Sequence, residues 1–145
     1  MPTYAFTTGN TTIRISKAFL WAQDKNTDNS LGFDLNYTGL TRHREMIKGA
    51  ENFSPQTVEQ VREILTEICE TGKLKTSKPT YRKLTQTLKI RTLCITFETN
   101  TGQRIGTQIS LPIIETEIFD SHHQVPREVR FGIEKTLNKI VALVN

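Results

Sequence analysis

Leu31, Phe33, Leu35 and Tyr37 alternate with Gly32, Asp34, Asn36 and Thr38. A period of two puts the four apolar side chains on one face of a strand and the small or polar ones on the other. Such a strand cannot stand alone. It needs neighbours for its backbone hydrogen bonds and a second layer to bury its apolar face, so the chain must contain a sheet covered on one side. Residues 11–22 alternate in the same way, with Ile13, Ile15, Phe19 and Trp21 on one face, interrupted by Lys17, and Arg14 and Ser16 opposite. The stretch 23–30 between them is polar and turn-forming, which predicts a hairpin with a longish loop.

The covering layer is legible as two amphipathic helices. Ser54 is a good N-cap and Pro55 suits the first helical position. Val58, Val61, Leu65 and Ile68, with Ile64 beside them, form an apolar stripe, while Glu59, Glu63, Glu67 and Glu70 take the wet side. Gly72 closes this helix as a C′ glycine. Pro126 opens a second helix running to about Val144, with Val129, Ile133, Leu137, Ile140, Val141 and Val144 as its stripe.

Residues 92–97 and 103–111 read as strands joined through Asn100 and Gly102, and 113–119 as a further extended piece. Residues 40–53 give no clear pattern, with Gly49 ending whatever forms there. Residues 81–90 fit two templates. Tyr81, Leu84 and Leu88 have helical spacing, whereas Leu84, Leu88 and Ile90 share one face of a strand. The frequent β-branched threonines favour the strand. The expectation is a single α+β domain over residues 1–145: an antiparallel sheet of about five to six strands with two helices packed on one face.

Charge adds a second constraint. The chain has 19 Lys and Arg against 15 Asp and Glu, a net charge of +4. Residues 71–97 hold seven of the cations (Lys73, Lys75, Lys78, Arg82, Lys83, Lys89 and Arg91) and no acid, so the remainder is net acidic. An acid-free basic stretch suits phosphate contacts, to which threonine hydroxyls and backbone N–H groups add hydrogen bonds. With 81–91 as a strand, Lys83, Lys89, Arg91 and Tyr81 project from the uncovered sheet face. Lys73, Lys75, Lys78 and Arg82 lie at its edge, and Tyr81 stacks on a base. These eight residues are the expected nucleic-acid-binding set, for RNA or a single strand. The bland reading of the same stretch is a solvated face blunted with lysine against edge pairing. Arg42, His43, Arg44 and Lys48 form a smaller basic cluster.

Residues 78–90 resemble the second helix of a helix-turn-helix DNA-binding domain. That resemblance implies a recognition helix after Ile90, where the sequence reads as a strand. The consecutive strands with a Thr/Lys face and a C-terminal helix look like the coat proteins of small RNA phages. In that family a dimer's sheet face binds an RNA hairpin and the helices clasp the partner subunit; the helix opening at Pro55 departs from the pattern. The alternative function is accordingly a self-assembling, coat-like viral or phage subunit, dimeric or larger, that also binds RNA.

Other chemistry is weaker. Asp24, Asn26 and Asp28 begin like a calcium loop, but Asn29 stands where glycine is required and Leu35 where glutamate is required, so a polar hairpin loop is expected. Glu115, Glu117, Asp120, His122 and His123 offer metal or acid–base chemistry and define a second alternative, a metal-dependent enzyme. No phosphate-binding loop, dinucleotide turn, nucleophile elbow or paired-cysteine zinc site is present. The expected protein is therefore non-enzymatic, without cofactor or bound metal. Cys69 and Cys94 both read as small core residues in a reducing, cytoplasmic setting. No signal peptide and no run of about 18 apolar residues is found, so no membrane partner is expected.

Overall fold

The computed structural model describes residues 3–38, 41–111, 116–120 and 125–141, with backbone alone at 41–43 and 120. Among these residues the chain runs β1 (Ala5–Thr8), β2 (Thr11–Asp24), β3 (Ser30–Thr38), β4 (Thr41–Lys48), a 3-10 turn (Ala50–Asn52), α1 (Pro55–Thr71), α2 (Pro79–Thr87), β5 (Leu88–Thr99), β6 (Arg104–Ser110), β7 (Thr116–Asp120) and α3 (Arg127–Ile140). The strands form one seven-stranded antiparallel sheet in the order β4-β3-β2-β5-β6-β7, with β1 paired to the start of β2. The fold is α+β, and its three helices contribute to a single apolar core against one face of the sheet.

The helix ends follow their sequence signals. Ser54 accepts a hydrogen bond from the Thr57 backbone N–H at 3.1 Å, and Pro55 occupies the first turn of α1. Gly72 ends it with φ 66°, donating to the Ile68 carbonyl at 2.8 Å. Glycine is required there twice over: the conformation is left-handed, and a Cβ would meet the Tyr4 ring at 2.6 Å. Pro126 caps α3, whose Val129, Ile133, Leu137 and Ile140 are buried.

Two expectations are corrected, and the sheet has a strand that the sequence reading did not assign. Residues 79–87 are helix rather than strand. Pro79 starts the helix, and Tyr81 and Leu84 are its buried positions. Thr85 and Thr87 donate back to the carbonyls of Tyr81 and Leu84, which lets β-branched residues sit in a short helix. Only from Leu88 does the period change to two, so the two competing templates apply in succession. The second correction concerns β2. Its register against β5 shifts between Ile15 and Lys17, leaving one extra residue, Ser16, on β2. This β-bulge reverses the alternation. Ala18, Leu20 and Ala22 are buried with Ile13 and Ile15, while Phe19 and Trp21 turn to the other face. Lastly, the sheet gains β1, joined to β2 through Gly9 (φ 58°) and Asn10 in a tight hairpin.

The inner face is apolar along every central strand. Leu31, Phe33, Leu35 and Tyr37 of β3, Leu93, Ile95 and Phe97 of β5, and Ile105 and Ile109 of β6 join Val61, Leu65 and Ile68 of α1. At the β4 edge Arg62 of α1 bonds Glu45 at 2.6 Å, pairs with Glu59 and lies 5.5 Å over the Phe33 ring. Glu45 beside it raises the guanidinium pKa further. Leu74 donates to Ile140 at 2.9 Å, tying the α1–α2 connector to the end of α3. The helices lie together on the inner face, and the outer face carries no element among the described residues.

Candidate nucleic-acid interface

Strand register fixes what the outer face displays. Lys48, Gly32, Trp21, Thr92 and Ser110 form one rung across the sheet. Met46, Asp34, Phe19, Cys94, Gln108 and Glu117 form the next, and Arg44, Asn36, Lys17, Thr96, Gly106 and Phe119 the one after. Arg14, Glu98 and Arg104 continue at one end, and Gln23 and Lys89 at the other, where Arg91, the extra residue of a second bulge on β5, bonds Gln23. The described strand positions of this face thus carry seven cations (Arg14, Lys17, Arg44, Lys48, Lys89, Arg91 and Arg104) against three carboxylates (Asp34, Glu98 and Glu117). Aromatic and thioether side chains stand between them: Trp21, Met46 and Phe119 are 41%, 40% and 52% exposed.

Several of these groups are held by neighbours. Lys17 Nζ lies 3.3 Å from Asp34 Oδ2. Arg91 donates twice to Gln23 Oε1, at 3.2 and 3.0 Å, which spreads its guanidinium over the sheet surface. The Phe119 ring lies over Gly106, where a Cβ would approach it to 2.6 Å. Cys94 faces this side beside Phe19, not the core, and partial burial raises its thiol pKa. Cys69 is fully buried in α1, and the same cause pushes it up to about 12.

Between the β2–β3 loop and the end of β4 the face is hollowed into a cleft of about 580 Å³. Phe19, Trp21 and Met46 supply its apolar wall, Gly32 its floor, and Asp28, Asn29, Ser30, Asp34, Lys48 and Asn52 its polar groups. The loop is shaped by its own side chains, as expected for a polar hairpin loop. Asp24 Oδ1 accepts from the Asn26 N–H at 2.7 Å, and Thr27 Oγ1 from the Asn29 N–H at 3.2 Å. Gly49 (φ 82°) turns the opposite wall, and a Cβ there would clash with the Ser30 carbonyl.

The eight residues singled out in the sequence are not brought together on one surface. Lys89 and Arg91 lie on the outer sheet face. Lys73, Lys75 and Lys78 lie in the connector of the helical layer, and Arg82 and Lys83 on α2. Lys78 pairs with Glu67 of α1 at 2.7 Å and Lys75 approaches the same carboxylate at 4.0 Å. Tyr81 is 5% exposed in the core, so it offers no ring for stacking; its hydroxyl has no partner among the described residues, and burial raises its pKa. The acid-free ribbon is continuous in sequence but divided between two layers, because the chain passes from helix to strand within it. The bulge at Ser16 is what hid Trp21 and Phe19, and the interrupting Lys17 was its signal.

Of the proposed metal cluster, Glu117 is exposed on β7 opposite Gln108. Glu115, His122, His123 and the Asp120 side chain lie outside the described residues, as does the His43 side chain. Among the described residues no group of three or more His, Cys, Asp or Glu is arranged to hold a metal, and no helix is long and apolar enough to cross a membrane. No family model, curated protein or solved structure matches the chain.

Proposed function

We propose that this chain is a non-enzymatic single-stranded nucleic-acid-binding domain, RNA in the first instance, and that the outer sheet face is its binding surface. One observation carries the reading: seven cations interleaved with the exposed rings of Trp21 and Phe119 on a broad face that the helices leave uncovered. Cations spaced over a sheet follow a phosphate backbone, and exposed rings stack on bases without demanding a sequence. A flat face suits splayed single strands better than a duplex groove. This reading goes with a reducing, cytoplasmic setting, and both cysteines are free thiols.

The test is fluorescence anisotropy with end-labelled ribo- and deoxyribo-oligonucleotides at several salt concentrations. With about four phosphate contacts, the single-strand relation gives a roughly 50-fold loss of affinity between 50 and 200 mM salt. Absence of binding at low salt, or an affinity indifferent to salt, removes the proposal.

A second reading has the same face covered by another copy, as in a coat-like subunit. The exposure of Trp21, Met46 and Phe119 favours it, since apolar groups on an uncovered face are protected by association. Light scattering over a dilution series separates the two. A mass that stays at one chain throughout counts against assembly, and a constant dimer whose Trp21 emission is solvent-shielded counts against the open-face reading.

A further inference from the structure

We infer that the cleft beside Trp21 seats a single nucleobase bearing an exocyclic amino group, turned out of the strand that follows the outer face. This rests on the reading of that face as a nucleic-acid surface and adds where one base is held and which bases fit.

Gly32 is the first ground. Glycine inside a strand weakens it, and such a position often marks close approach by a ligand. Nothing in the fold calls for glycine here. Gly32 is not among the residues with positive φ, and a Cβ would find Phe19 Cε2 at 3.5 Å and Lys48 Cβ at 3.9 Å, both ordinary contacts. The missing side chain instead leaves the floor of the cleft open between Trp21 and Lys48, its neighbours on the same rung. The volume of about 580 Å³ lies within the range of small-ligand sites.

The polar groups then choose the occupant. Asp28 and Asp34 both line the cleft, so a phosphate seated between them meets two carboxylates. A neutral base meets these acceptors without that repulsion, and its amino N–H groups supply donors to them. Asp34 is the sharper case. Its Oδ2 faces Lys17 at 3.3 Å, while its buried Oδ1 has no hydrogen-bond partner among the described residues. An amino N–H that reaches Oδ1 as the side chains adjust completes that carboxylate. Uracil and thymine have no amino group and bring carbonyl oxygens toward the acids, so they fit worse. Lys48, which also lines the cleft, supplies a cation for the phosphate of the same nucleotide, and the Trp21 ring offers a stacking surface.

Trp21 is the chain's one tryptophan, so its emission reports the cleft directly. The experiment titrates the full chain with end-labelled oligocytidylate, oligouridylate and an abasic strand, each of about twelve nucleotides, a length suited to one such face. Label anisotropy reads binding to the face, and Trp21 emission reads entry to the cleft. The expected result is strong quenching by oligocytidylate, weak quenching by oligouridylate and none by the abasic strand, although the last raises anisotropy at low salt. Gly32→Leu, which fills the floor without altering charge, should weaken oligocytidylate by about ten-fold, the scale of one lost base stack, and abolish the quenching. Anisotropy rising with Trp21 emission unchanged, equal quenching by the two homopolymers, or an unaltered affinity in Gly32→Leu overturns the inference and leaves the open-face reading standing. No anisotropy change with any strand defeats both. Circular dichroism checks that Gly32→Leu folds; if it does not, quenching of the unsubstituted chain alone decides.

Discussion

Cys69 and Cys94 look alike in sequence, each a small apolar residue within a regular element, yet they meet different surroundings. Cys69 is sealed in the α1 stripe, where burial disfavours the thiolate and pushes its pKa up to about 12 from 9.0. The neutral thiol is thereby favoured in the folded chain. Its contribution is fully present below pH 9 and is lost as pH rises through 9 towards 12, because the unfolded chain ionises first. Cys69→Ala lacks that loss. The stability gap between the parent and Cys69→Ala, read from urea midpoints, should therefore narrow between pH 7 and pH 10.5; a gap that stays constant or widens contradicts the buried-thiol account. Cys94 lies on the outer face because β5 alternates around Leu93 and Ile95. Its sequence neighbourhood could not separate a core position from one on an uncovered face, since both belong to an apolar strand. Tyr81 shows the same limit in reverse. Set among Lys78, Arg82 and Lys83 it reads as a wet residue, but it is one helical turn from Leu84 and shares its burial.

Elements with explicit boundary chemistry were legible. Ser54-Pro55 and Gly72 bracket α1, Pro126 opens α3, and the turn through Gly102 joins β5 to β6. Gly72 and Gly102 both have positive φ, but only Gly72 has a ring against its Cα. Gly102→Ala should cost about 1 kcal/mol from the left-handed backbone alone. Gly72→Ala should cost distinctly more, about 2–3 kcal/mol, because Tyr4 must also move. Chemical denaturation of the two variants checks the order, and equal losses would remove the steric part of the explanation. Elements whose boundaries lie inside a change of period were not legible. One inserted residue at Ser16 inverts every later side chain of β2, and its one trace in the sequence, Lys17 breaking the alternation, does not announce a bulge as plainly as a proline announces a helix start. In α2 the threonines have strand propensity, and tertiary burial of Tyr81 and Leu84 overrides it.

The whole molecule is two layers of different electrical character. The inner layer sets the glutamates of α1 among the lysines of the connector, and Glu67 serves both Lys75 and Lys78. The outer face keeps a cationic excess that comes from β2, β4, β5 and β6 rather than from one segment. The fold class could be read from periodicity because layers follow from which faces are apolar. The surface charge could not, because it depends on which strands end up adjacent, and the crossing from β3 and β4 through two helices back to β5 brings distant residues side by side. The central claim is that the outer face, not the acid-free ribbon, meets the polyanion. The direct measurement compares two triple variants for binding a single-stranded RNA over a salt series: Lys48→Ala, Arg91→Ala and Arg104→Ala on the sheet, and Lys75→Ala, Lys78→Ala and Lys83→Ala on the helical layer. Loss of three phosphate contacts flattens the single-strand salt slope by about 2. The sheet variant should show that flattening with a matching loss of affinity at low salt, while the helical variant stays close to the parent. The opposite ranking, or equal losses in both, contradicts the account.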